Sequence, residues 1–75
     1  MNIDVIKKRV YSHLGEKHYF RAIGTRGQDT IIHGYISKCY PAIFTINDDN
    51  NNIFAFSYND ALISSIKIID VNNKK

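Results

Sequence analysis

Seventy-five residues, 44% apolar and carrying nine aromatics without a tryptophan, suffice for one small core and leave no room for a second. The single cysteine, Cys39, excludes an intrachain disulfide and a cysteine-built metal centre. No stretch approaches the roughly 18 apolar residues of a transmembrane helix. The N-terminus, MNIDVIKKRV, has no signal-like apolar run, so a cytoplasmic setting is expected.

The formal charge of +3 is unevenly spread. Residues 1–38 hold Lys7, Lys8, Arg9, Lys17, Arg21, Arg26 and Lys38 against Asp4, Glu16 and Asp29, while residues 39–75 are net acidic. Such asymmetry makes the basic half a candidate contact surface for an anionic partner.

In chain order, the first element is a helix over 2–14. Ile3, Ile6, Val10 and Leu14 recur at spacings of three and four, Asn2 or Asp4 can cap its start, and Gly15 suits its end. Lys7, Lys8 and Arg9 lie off that stripe and read as a solvated face. The period then changes to two. KHYFRAI reads as a half-buried strand. AIGTRGQD connects it to the next strand, with Gly24 and Gly27 expected at positive φ in a hairpin. A phosphate-binding glycine loop runs from a strand into a helix, so this one, running strand to strand, is no nucleotide cradle. Arg26 at its tip, beside Arg21, remains a candidate contact.

DTIIHGYIS forms the second strand, with Gly34 marking a bulge or sharp bend. Pro41 ends it. AIFTI and IFAFS are the third and fourth strands, separated by the polar turn NDDNNN. YNDAL reads as a single 3₁₀ turn with Asn59 and Asp60 as capping residues, and ISSIKIID as a fifth strand before a polar tail at 72–75. The fold class is therefore mainly β: one helix, then a five-stranded SH3-like or Sm-like small barrel over 17–69, in a single domain. Closure would remove the exposed edges of an open sheet, and the helix would cover one end.

Catalytic chemistry finds no constellation. His13, His18 and His33 share no ligand spacing of the His-x-x-x-His kind, and one falls on each of three elements. Asp48 and Asp49 lack the pattern of a calcium loop and read as turn residues. Cys39 reads as a small apolar filler. Most aromatics must build the core. Tyr35 and Tyr40 have the best claim to a surface site, near Lys38 and a chain break.

Three stretches together resemble the Veg family of small proteins from Gram-positive bacteria: LGEK at the helix exit, GYISKCYPAIFTI, and FSYNDAL. The matching positions are Leu14, Gly15, Gly24, Arg26, Gly34, Tyr40, Pro41, Phe44, Ser57, Tyr58, Asp60 and Leu62. The GTRGQD turn carries less positive charge than the family's usual turn, and NDDNNN is shorter than its counterpart. The resemblance implies a small SH3-like barrel without enzymatic activity, acting in gene regulation and the control of biofilm-matrix genes. A protein partner is expected, with direct RNA or DNA binding as the alternative. No membrane, small-molecule substrate, cofactor or metal is called for, and monomer and homodimer stay equally open.

Overall fold

The computed structural model describes residues 2–24 and 28–69. Asn2 sits in extended backbone (φ −110°, ψ 171°), and its side chain accepts the Val5 N–H at 3.0 Å, opening helix α1 (Ile3–Ser12). The helix stops earlier than its apolar stripe suggests. His13 is its C-cap, and Gly15 turns the chain at φ +83°, a backbone conformation costly for any residue with a Cβ. Leu14 leaves the stripe, stays 41% exposed, and forms an isolated parallel bridge with Ile36. Ile6 and Val10 are the helix residues that reach the core.

The period-two segments become β1 (Lys17–Ile23), β2 (Asp29–Cys39), β3 (Ile43–Asp48), β4 (Ile53–Ser57) and β5 (Ile66–Ile68). They pair antiparallel in one sheet, in the order β4-β3-β2-β1-β5. Phe20 of β1 faces Ile32 of β2 on one side and Ile68 of β5 on the other, so three strands contribute to one apolar face. Phe20, Ile32, Ile36, Phe44, Ile46 and Ile66 form the sheet's share of the core, sealed by Ile6, Val10 and Tyr58. Lys17, Tyr19 and Arg21 alternate onto the opposite face, beside Tyr35, His33 and Ile31.

Closure into a barrel is not seen. β4 and β5 are the two edges of the sheet, and no ladder joins them among the described residues. Between them lies α2 (Tyr58–Leu62), a short α-helix where a 3₁₀ turn was expected. Its capping box explains the difference. Ser57 Oγ accepts the Asp60 N–H and Asp60 Oδ2 accepts the Ser57 N–H, both at 3.0 Å, which satisfies two amides at the helix start. Asp60 caps as expected, and the other capping residue is Ser57 where Asn59 was expected.

Two glycines act by close approach. At Gly34 a Cβ would lie 2.0 Å from the Asn47 carbonyl oxygen, because the β3 backbone comes unusually close where Gly34 pairs with Asp48. The bulge expected there falls instead between Ile36 and Lys38, where the β2–β3 register shifts. Gly24 is not at positive φ; a Cβ there would meet the Gln28 carbonyl oxygen at 2.8 Å, across the start of the connection. Gly27 and Arg26 lie outside the described residues, as does the 72–75 tail. No helix among the described residues is long and apolar enough to cross a membrane.

Candidate binding groove

The 3.6-residue period gives α1 two working faces. Ile6, Val10 and His13 turn inward, where they line, with Arg9, Phe20 and residues around β5, a largely apolar cavity of about 280 Å³. Lys7, Lys8, Tyr11 and Ser12 turn the other way and form one wall of an open groove of about 440 Å³. Cys39, Tyr40 and Tyr58 form the other.

Tyr58 organises this groove. It is the first residue of α2, so the capping box fixes its backbone, and its ring is buried against Phe44 at 5.5 Å between centroids. Its hydroxyl donates to the Tyr40 carbonyl oxygen at 2.7 Å. Burial, reinforced by the Cys39 thiol beside it, pushes the Tyr58 phenol up to about 12, so it stays a neutral donor. Lys7 Nζ lies 5.5 Å above the centre of the Tyr58 ring, a cation–π distance that holds the ammonium at the groove. Tyr40 is placed by the tight β2–β3 connection, in which its own N–H donates to the Ile43 carbonyl at 2.7 Å across Pro41. Tyr11 and Tyr40 stay exposed on either side. The groove thus presents two ammonium groups and three aromatic rings, with no carboxylate among its lining residues.

The other basic side chains among the described residues do not join it. Lys17 Nζ pairs with Asp49 Oδ1 at 2.5 Å, and Arg21 holds Asp29 through both Nε and Nη2, on the outer face of the sheet. Asp49 also accepts from His33 Nδ1 at 2.6 Å, and the His33 ring stacks on Tyr19 at 4.3 Å. Hydrogen bonds from Lys17 and His33 hold the Asp49 carboxyl below its ordinary value. Arg9 lines the apolar cavity. Lys38 is exposed on β2, and Tyr35 is half-buried on the outer face. Of the nine candidate contacts, the groove gathers Lys7, Lys8 and Tyr40.

Two of the stretches that carry the family resemblance meet here. Tyr40–Pro41 and Ser57–Tyr58–Asp60 are distant in sequence yet joined by the Tyr58 hydroxyl. A family model described as biofilm formation stimulator VEG matches residues 1–69. The chain belongs to the Veg family. No curated protein sequence matches it. The matched span takes in every described element of this Veg-family chain, both walls of the groove included.

Tyr11, Ser12, Cys39 and Tyr58 were not foreseen as groove residues. Helical spacing puts Tyr11 and Ser12 on the Lys7–Lys8 side, but only the fold reveals that Tyr58 faces them. A second grouping also escapes sequence spacing. His13 Nδ1 and His18 Nε2 converge on Glu16 Oε1 at 3.0 and 2.9 Å, across the step from α1 to β1. Those bonds hold the Glu16 carboxyl below its ordinary value.

Proposed function

We propose that this Veg-family chain is a non-enzymatic binding module, an open relative of the small SH3-like barrel, that stimulates biofilm formation by acting on gene expression. In this reading it works in the control of biofilm-matrix genes, by docking an acidic, aromatic-bearing segment of a protein partner between α1 and α2. The observation that carries the reading is the separation of the basic residues. Lys7 stands over the Tyr58 ring and Lys8 lines the same groove, with no acid among the described lining residues, while Lys17 and Arg21 are each neutralised by an aspartate on another face. A phosphodiester track needs a continuous row of available cations, whereas a short acidic peptide needs two and a set of rings.

The test pairs a cellular and a biochemical readout. Lys7→Glu/Lys8→Glu should abolish the gain in biofilm and matrix-gene transcript that the wild-type chain gives, and should lose the partner that the wild-type chain retains on a column. Full stimulation by the folded double variant would reject the groove as the site. Direct RNA or DNA binding is the alternative. It predicts binding to oligonucleotides at about 50 mM salt, with log K falling roughly 0.7–0.9 per phosphate neutralised for each log unit of salt.

A further inference from the structure

At the exit of α1, three side chains of chemistry unlike that of the groove point at one spot. His13, Glu16 and His18 each offer a ligand atom, and the three atoms lie within 4.8 Å of one another. We propose that they form a zinc-class metal site, two imidazole nitrogens and one carboxylate binding a late first-row divalent cation with a fourth position open.

The backbone holds these donors in place. His13 is the helix C-cap, and the Glu16 N–H donates back to the His13 carbonyl at 3.1 Å, closing the turn around Gly15. The Gly15 N–H donates to the Ile36 carbonyl at 2.9 Å, which ties the turn to β2. His18 is fixed in β1 by its pairing with Gly34, and its ring packs edge-on against Phe20 at 6.2 Å. The two imidazoles stand nearly perpendicular, 5.4 Å between centroids, so their nitrogens approach the carboxylate from different directions. Two of the three side chains are already largely shielded, His13 at 27% and His18 at 14% exposure, which spares part of the ordering cost of binding.

The donor set selects the metal class. Calcium and magnesium take oxygen ligands and fit two imidazoles poorly, while zinc and its neighbours bind imidazole and carboxylate together. Bonds of about 2.0–2.1 Å in a tetrahedral site place neighbouring donors roughly 3.4 Å apart. The present spacings of 2.9 and 3.0 Å are those of N–H···O bonds and widen by a few tenths of an ångström to admit the ion, while the two imidazole nitrogens, within 4.8 Å of each other, settle at the same donor spacing. Each imidazole then shifts its proton to its other ring nitrogen, so no proton is released from neutral histidines. Three protein ligands leave the fourth position to water or to an anionic donor. Arg9, which lines the cavity beside His13, favours the anion.

His33 serves as the internal control, since its carboxylate partner Asp49 is shared with Lys17, whose ammonium is no ligand and repels a cation. The experiment takes the full chain, stripped with chelator, and titrates it with zinc chloride by calorimetry and with cobalt chloride by visible absorption. Expected are one ion per chain, the intense visible bands of four-coordinate cobalt, and zinc-induced shifts of the His13 and His18 ring resonances with His33 unmoved. His13→Gln and His18→Gln should each weaken zinc at least about tenfold, and His33→Gln should leave it unchanged. The Gln variants keep side-chain bulk, and their thermal midpoints without metal report whether folding is intact. Absence of zinc binding at millimolar metal, or binding that survives both His13→Gln and His18→Gln, would overturn the proposal.

Discussion

Gly34→Ala tests how tightly β2 and β3 are locked beneath the helix. The added Cβ would sit 2.0 Å from the Asn47 carbonyl oxygen and 2.8 Å from Asp48 Cα, both backbone atoms that no rotamer change can move. Ordinary contact needs about 3.5 Å, so β3 must retreat by about 1.5 Å at this pair. That retreat stretches the ladder next to the best-buried side chain, Ile46, at 0% exposure. Overpacking costs about 1–3 kcal/mol, and weakening a neighbouring ladder bond adds about 1 kcal/mol. The expected loss is about 2–4 kcal/mol, against about 4–11 kcal/mol of total stability for a chain of this length. Urea unfolding followed by far-ultraviolet circular dichroism measures it. Gly15→Ala is the matched control, since open space surrounds that position and only its φ of +83° is strained, for about 1 kcal/mol. A Gly34→Ala loss no larger than the Gly15→Ala loss would refute the close-approach argument.

Ile46→Val removes one methyl group from a fully enclosed site and should cost about 0.5–1.5 kcal/mol in the same urea assay. Tyr58→Phe loses the hydrogen bond to the Tyr40 carbonyl, for about 0.5–1.5 kcal/mol, and deletes the late step near pH 12 from a spectrophotometric tyrosine titration. Asp48, through bonds from Asn52 and Asn50, and Asp49, through Lys17 and His33, are held below the ordinary value of 3.8. The unfolded chain therefore takes up protons first as pH falls. The stability these groups add is full above about pH 4 and is lost as pH drops through their lowered values. Thermal midpoints in acid should fall less steeply in Asp48→Asn than in the wild type.

Period and punctuation made most of the fold legible. The alternation in KHYFRAI gives β1 residue for residue, and IFAFS gives β4, because a half-buried strand writes its two faces directly into the chain. The fifth strand is shorter than ISSIKIID suggests: Ser64 takes φ 65°, and among the described residues Ile66–Ile68 is the part that pairs. Closure was not legible, since it depends on whether β4 and β5 come within ladder reach, which no local pattern encodes. The candidate site was half visible. Lys7, Lys8 and Tyr40 could be named, but Tyr58 joins them through a contact 18 residues long in sequence. The His13–Glu16–His18 grouping was hidden because it spans a helix end, where neither period applies.

Charge was the least legible property, for a reason that can be tested. Seven basic residues in the first half suggested an anion-binding surface, yet folding brings Asp49 from the second half onto Lys17 and sets Asp29 against Arg21. A formal count cannot register that pairing, because counterparts lie 32 residues apart in one case and across a connection in the other. Exposed ion pairs add little stability, so these aspartates matter more for the field they cancel than for the fold. The double variant Asp29→Asn/Asp49→Asn removes two negative charges and frees Lys17 and Arg21 on one face of the sheet. It should bind oligonucleotides more tightly at low salt than the wild-type chain does, with a log K–log salt slope steeper by roughly 1.4–1.8 for two added phosphate contacts. Equal binding by both chains, with equal slopes, would mean that the aspartates do not mask this face, and would put direct nucleic-acid recognition ahead of the protein-docking groove.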